Sequence, residues 1–292
     1  MNTSQNMNKM TATAHASRPL RVRLHGVGVL GPGLENWAQC RACLRGEAAY
    51  QSAATVLPAP DMLPPAERRR ASRVIKLALA IGAEAVQHAA ADAARLASVF
   101  SSSTGDGQNC HALCETLVSP QRDISPTRFH NSVHNTAAGY WCIATGATGP
   151  CQVLAAYDAS FAAGLLEAAV QVHAEQRDVL LLAYDSDYPE PLKTCRPVPD
   201  AAGVALLLRP ATEPADAQAL AELAVTWCAG APPVASSVTQ PALDAGLQAL
   251  SDTIPAMRAL PLLQLLAREQ AGQVWVAGLP GQGLQIGVQP CA

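Results

Sequence analysis

The residues best placed to do chemistry lie in the segment 149–168, GPCQVLAAYDASFAAGLLEA. Its first part predicts a buried strand and its Ala- and Gly-rich part predicts a helix, so that Tyr157-Asp158-Ala159 forms the corner between them. Such corners often present a nucleophile at a helix N-terminus. Here the corner carries Asp158, and Cys151 precedes it by seven residues. The segment therefore holds a site whose nucleophile has moved, a site with different chemistry, or an inactive site.

Cys151 and Asp158 differ in how well their positions suit catalysis. A cysteine becomes a good nucleophile where a helix N-terminus or a cation lowers its pKa. Cys151 follows Pro150 at the entry of the predicted strand, and a structural role is therefore favoured. Asp158 lies at the helix start, where an N-cap carboxylate that accepts from the amide of Ser160 or Phe161 explains its presence.

Two short motifs have spacings that zinc sites also use. They are CRAC (Cys40, Cys43) and CHALC (Cys110, His111, Cys114). CRAC lies in a predicted helix where Trp37, Cys40 and Leu44 share one face, which favours buried thiols over metal ligands. The Gly-rich loop SSSTGDG lacks the lysine of a phosphate-binding loop. We therefore predict neither a metal nor a cofactor.

Composition limits the class of protein. The 292 residues are 49% hydrophobic but only 4% aromatic, which favours helices packed on a sheet over an all-β protein. A net charge of -3 argues against nucleic-acid binding. Residues 1–18 are polar and predict a disordered tail, not a signal peptide. Without an export signal or a membrane-spanning run, the cysteines predict a reduced, cytoplasmic protein.

The predicted elements alternate between helices and strands as far as residue 210. The order is β-α-α-β-α-β-α-β-β, beginning with a strand at 19–31 and including a long helix at 68–96. Helices that alternate with buried strands indicate a layered α/β domain over 19–210. Residues 211–292 have weaker periodicity and form a C-terminal extension, with two possible short strands within 273–288.

From Arg21 to about Arg209 the sequence resembles the N-terminal half of the β-ketoacyl synthases of the thiolase superfamily. The matching pieces run in the family's order and include RVRLHGVGVLGP, WAQCRACLRGE, SSSTGDG, ISPTRFHNSVHNTAAG, GATGP and RDVLLLAYD. The resemblance implies a thiolase-like half fold, layered α/β/α, with a mixed five-stranded sheet, truncated relative to full ketosynthases. Residues 211–292 would complete or cover it.

The resemblance also implies the loss of catalysis. In active ketosynthases an Ala-Cys pair stands at the strand–helix corner, and Tyr157-Asp158 stands at the equivalent position here. The family's second half supplies two catalytic histidines, but His173 is the last histidine in this chain. A carboxylate is a poorer nucleophile than a thiolate, and its acyl product would be a hydrolysis-prone anhydride. We predict no catalytic residue.

Ketosynthase-like chains without the cysteine are chain-length factors, which pair with an active ketosynthase and shape the acyl tunnel. This chain is similar to the short versions of aryl-polyene and related yellow-pigment pathways. The predicted partner is a cysteine-bearing β-ketoacyl synthase. The predicted tunnel or interface residues are Phe129, His130, Val133, His134, Asn135, Tyr157, Asp158 and Phe161, although ordinary core or interface roles explain the 129–135 set equally well.

A basic cluster gives a second possible contact. Its arginines are Arg68, Arg69, Arg70 and Arg73. They form either the solvated first turn of a helix, which is the favoured interpretation, or a docking patch for an acidic acyl carrier protein. Two other functions stay open: a stand-alone acyl-processing enzyme that uses Cys151 or Asp158, and a homodimeric acyl-binding scaffold.

Overall fold

A computed structural model describes residues 18–103, 105–211, 218–230 and 242–291. The predicted tail therefore lies outside the described residues, apart from Arg18. Within these ranges eight strands form one sheet of order β3-β2-β4-β5-β1-β6-β8-β7. The strands are β1 (Leu20–Leu30), β2 (Ala97–Ser101), β3 (Cys151–Leu154), β4 (Val179–Asp185), β5 (Ala202–Pro210), β6 (Ala221–Ala229), β7 (Gly272–Ala277) and β8 (Gln282–Pro290).

Ten α-helices and three short 3-10 turns accompany the described strands. The helices are α1 (Trp37–Arg45), α2 (Pro65–Arg70), α3 (Arg73–His88), α4 (Gly107–Val118), α5 (Pro126–His130), α6 (Thr136–Thr145), α7 (Ser160–Glu175), α8 (Leu192–Cys195), α9 (Ala245–Thr253) and α10 (Leu260–Ala267). The 3-10 turns are Ala93–Arg95, Tyr157–Ala159 and Pro255–Ala259. Among the helices described, none combines the length and the apolar composition needed to cross a bilayer.

The sheet is mixed, as predicted, but the prediction of five strands is wrong. Strands β3, β2 and β4 are parallel, and β5 and β1 join them in antiparallel pairs. The sheet then continues, because the first half of β1 also pairs with β6, from Leu20 opposite Val225 to Leu24 opposite Ala221. The predicted boundary at 210/211 thus falls between two strands of one sheet.

Helices cover both faces of the sheet, which confirms the α/β/α layering. Helices α3 and α6 pack on one face through one apolar cluster. Helices α1, α7, α9 and α10 pack on the other through a second cluster. The face of α1 predicted from its spacing is also correct, because Trp37, Cys40 and Leu44 are its buried residues. The turn Pro255–Ala259, from the C-terminal extension, lies against α7.

Two helical segments differ from the prediction. The helix expected over 68–96 is two helices, because Ala71 is extended and α3 begins after Ser72. Helix α4 follows the SSSTGDG loop and was not predicted. Its N-cap is Asp106, whose carboxylate accepts from the backbone N–H of Asn109 at 2.9 Å. The sequence CHALCETLV has few large apolar residues to give a helical period, so this cap is its main start signal.

Gly164 permits α7 to lie close against β2 and β4. A Cβ at this position would lie 2.7 Å from the Cβ of Ser101 and 2.9 Å from Cδ1 of Leu181. We expect Gly164→Ala to lower the free energy of unfolding by about 1–2 kcal/mol through overpacking. Gly139→Ala in α6 is the matched control, since nothing lies within 4 Å of its added Cβ. It should be neutral or stabilising by up to about 1 kcal/mol in chemical denaturation. Equal effects of the two substitutions would contradict the packing argument.

Candidate functional site

The corner between β3 and α7 is sharp and held by local hydrogen bonds. Tyr157 has a φ of 52°, in the left-handed region that non-glycine residues rarely occupy. The Ser160 hydroxyl donates to the carbonyl of Tyr157 at 2.7 Å and accepts from the N–H of Ala156 at 3.0 Å. The predicted strand–corner–helix arrangement is therefore present, with Tyr157 and Asp158 at the turn.

Asp158 does not cap the helix, so the predicted N-cap role is wrong. The N-cap of α7 is Ala159, and no side chain caps its first turn. The carboxylate of Asp158 instead pairs with two arginines from distant parts of the chain. One oxygen lies 2.5 Å from a terminal nitrogen of Arg196, and the other lies 3.5 Å from one of Arg258. Two guanidinium groups attract the carboxylate more strongly than the backbone amides of the first turn.

The two arginines reach the corner on different elements. Arg196 follows α8, and its guanidinium lies over the ring of Tyr157 at 3.9 Å from the ring centroid. Its side chain is only 15% exposed. Arg258 belongs to the turn Pro255–Ala259. Sequence reasoning missed both, because both are far from Asp158 in the chain and only the tertiary structure brings them to it.

A second carboxylate, Asp185, contacts segments on either side of the corner cluster. It ends β4, is fully buried, and accepts from the backbone N–H of Ser103 at 2.8 Å and of Ala256 at 2.8 Å. Burial raises the pKa of Asp185 to about 6, although the two N–H donors and the Arg196 charge favour its ionised form. The carboxylate thus joins the loop after β2 to the turn that carries Arg258.

The predicted residues 129–135 belong to different elements from the corner. Phe129, His130, Val133, His134 and Asn135 are all exposed, on α5 and the turn into α6. The ring of His130 makes an edge contact with Tyr140, and His134 lies against Gly105. Phe161 differs from the others, because it is fully buried in the core under the first turn of α7.

Several exposed apolar side chains lie near these residues in the sequence. We call them the α4–α6 surface; its members are Leu117, Val118, Ile124, Phe129, Val133 and Ile143. Strand β3 follows α6 and is an edge of the sheet, paired only with β2 among the described strands. Edge strands and groups of exposed apolar side chains are both typical of protein-interaction regions.

The cysteines and the basic cluster occupy separate positions. Cys151 is exposed at the start of β3, and burial raises the pKa of the Cys40 thiol well above its usual range. Three of the cluster arginines are ion-paired: Arg68 with Asp61, Arg70 with Glu67, and Arg73 with Asp187 and Asp200. The cluster spans α2 and the start of α3, with no ion pair for Arg69 in the described ranges.

The fold is similar to that of thiolase-like ketosynthases of known structure. One chain of the complex between the ketosynthase ApeO and its chain length factor ApeC from Xenorhabdus doucetiae is 22% identical to this chain. The TM-score is 0.66, with coverage of 91% of this chain and 98% of that one. The ishigamide ketosynthase/chain length factor is 15% identical, with a TM-score of 0.70 over 94% of this chain and 100% of that one. A β-ketoacyl synthase from Burkholderia phymatum STM815 is 14% identical, with a TM-score of 0.65 and coverage of 94% and 100%.

The family follows from the sequence match. The model described as "Beta-ketoacyl synthase, N-terminal domain" matches residues 35–260, and the chain belongs to this family. The match extends beyond Arg209, where the sequence resemblance was predicted to end, and includes Arg258 of the corner. A comparison with curated proteins gives no match.

Proposed function

We propose that this chain is a non-catalytic, chain-length-factor-like subunit that forms a heterodimer with a cysteine-bearing β-ketoacyl synthase and shapes its acyl tunnel. The elongation would serve a polyene-type polyketide or fatty-acyl product, of the aryl-polyene or yellow-pigment kind. The observation that carries the proposal is the corner, which keeps its sharp geometry but holds an aspartate paired with two arginines.

The chemistry of the corner supports a non-catalytic role. A condensing nucleophile must be free to attack a thioester carbonyl, and thiolates do this far better than carboxylates. Both oxygens of Asp158 pair with guanidinium groups, and these contacts compete with attack on a carbonyl carbon. Among the described residues, its ion-pair partners are arginines and no histidine is paired with it.

Strand β3 and the α4–α6 surface support a protein partner. The backbone of β3 is unpaired on one side within the described residues, so a partner strand can extend the sheet. Phe129 and Val133 are 67% and 55% exposed, and groups of exposed large apolar side chains mark interaction sites. A ketosynthase of the same fold would offer an equivalent edge, and Phe129, His130, Val133, His134 and Asn135 would then lie beside its tunnel.

The acyl carrier protein is a second proposed partner. Carrier proteins are acidic, and ion pairs already occupy three of the four arginines in the basic cluster. Arg69 is therefore the residue of this cluster that we expect to contribute most to carrier binding.

Co-expression with a cysteine-bearing ketosynthase from the same genome tests the proposal. A tagged copy of this chain should co-purify with that ketosynthase, and the products of the complex should shorten or disappear without it. Intact-mass measurement after incubation with an acyl carrier thioester should find the acyl group on the ketosynthase. An acyl adduct on this chain that is lost in Cys151→Ala would overturn the proposal in favour of a stand-alone enzyme. A stable homodimer that never binds the ketosynthase would favour a scaffold.

A further inference from the structure

Two cysteines of the CHALC motif face solvent from one side of α4. Cys110 and Cys114 are exposed free thiols, and they lie four residues apart in this helix. Residues at this spacing share one helix face, with Cβ atoms about 5–6 Å apart. Partial burial, and then the neighbouring Cys114 thiol, which also hydrogen-bonds with Cys110, raise the pKa of Cys110. The two sulfurs are therefore near neighbours on the surface of α4.

The spacing of this pair favours a bridging ion over a disulfide bond. A disulfide requires Cβ atoms about 3.5–4.5 Å apart and an S–S bond of about 2 Å, so its formation would distort the helix. A metal ion with two thiolate bonds of about 2.3 Å each holds its sulfurs up to about 4.6 Å apart. The pair can thus hold an ion between its sulfurs while α4 stays helical.

The surroundings of the pair limit which ion it can bind. Zinc in structural sites takes four ligands, and no group of three or more His, Cys, Asp or Glu side chains suited to a metal occurs in the part of the chain that the structure describes. His111, the third member of the motif, is paired with Glu115 at 3.3 Å. Two thiolates without further ligands suit a soft ion of low coordination number, and sulfur ligands select Cu(I) among the biological metals.

We propose that Cys110 and Cys114 form a two-thiolate site for the soft monovalent cation Cu(I). On binding, each thiol releases its proton to solvent and each sulfur donates an electron pair to the ion, which stays in the +1 state. Neither cysteine belongs to the corner, and the inference does not depend on a ketosynthase partner. It and the proposed function can therefore fail independently.

Anaerobic titration of the full chain with Cu(I), in competition with a chromogenic Cu(I) chelator, is the measurement. We expect one Cu(I) per chain to resist the chelator, and an excess of Zn²⁺ not to displace it. Because the loss of an outer-shell partner alone costs about 10–100-fold in metal affinity, Cys110→Ser and Cys114→Ser should each weaken binding at least about 100-fold. Binding that is unchanged in both variants, or no Cu(I) retained by the unsubstituted chain, would overturn the proposal.

Two further variants separate this site from a general effect of thiols or of misfolding. Cys151→Ser removes another exposed thiol, which lies near Cys142, and should leave the affinity unchanged. Cys114→Met should bind Cu(I) more tightly than Cys114→Ser, because a thioether is also a soft ligand. Loss of binding in Cys151→Ser would assign the ion to that other pair. Binding by Cys114→Met no tighter than by Cys114→Ser would contradict a ligand role for Cys114.

Discussion

The substitution Phe129→Asp is expected to abolish stable association with the ketosynthase. Phe129 is the aromatic member of the α4–α6 surface and is 67% exposed. An aromatic hot-spot residue of an interface contributes at least about 2 kcal/mol, or roughly 30-fold in affinity. Aspartate removes this contribution and adds a charge that must be desolvated on binding. The measurement is the dissociation constant of the purified pair, with Val133→Asp as a second variant on the same surface.

Val56→Asp provides the control for this experiment. Val56 is 80% exposed, even more than Phe129, but it lies in the Pro-rich connector between α1 and α2 and is not part of β3 or of the α4–α6 surface. A charge at this position should leave the affinity unchanged within a factor of about two. If Val56→Asp weakened binding as strongly as Phe129→Asp, the interface would not be the α4–α6 surface. An affinity of Phe129→Asp equal to that of the unsubstituted chain would also contradict an interface at the α4–α6 surface.

Removing the carboxylate of Asp158 is expected to destabilise the chain. In Asp158→Ala, Arg196 keeps a guanidinium that is mostly buried and has lost its partner, and Arg258 loses its only ion pair in the described ranges. Breaking a fully buried pair costs about 3–5 kcal/mol. Because the Asp158 side chain is 41% exposed and solvent screens it, we expect about 2–3 kcal/mol in urea or guanidinium denaturation.

Glu175→Ala is the matched control for the ion pair. Glu175 pairs with Arg177 at 2.7 Å, and both side chains are well exposed, at 43% and 44%. Exposed pairs of this type contribute about 0–1 kcal/mol, so Glu175→Ala should change the free energy of unfolding little. If Asp158→Ala lowered the free energy of unfolding no more than Glu175→Ala, the corner ion pairs would contribute no more to stability than an exposed surface pair.

The parts of the fold that follow local patterns could be predicted from the sequence. The buried strand β4, the helix α6 that ends at Gly146, and the buried face of α1 all follow from periodicity and a glycine cap. The break between α2 and α3 could not, because Ser72 makes no side-chain cap hydrogen bond. The helix α4 was missed because few large apolar residues give it a helical period, although Asp106 marks its start. The eight-stranded sheet was also missed, because strand pairing joins residues far apart in the chain, as in Leu20 with Val225.

For the candidate site too, local features could be predicted from the sequence and long-range contacts could not. The sequence places Asp158 at a strand–helix corner, and the structure has the corner there. The sequence could not identify the partners of Asp158, because Arg196 and Arg258 are 38 and 100 residues away in the chain. The N-cap interpretation was reasonable from local chemistry, and it is wrong because tertiary contacts supply stronger donors than the helix amides.

The sequence by itself determined the α/β layering, the corner, and the absence of a cysteine from its turn. These depend on residue type and on short periodic patterns, which act over a few residues. Only the tertiary structure decided that a C-terminal turn delivers Arg258 to the corner, and that β3 is the edge of the sheet among the described strands. Such arrangements depend on how distant elements pack, and close packing is a property of the whole core.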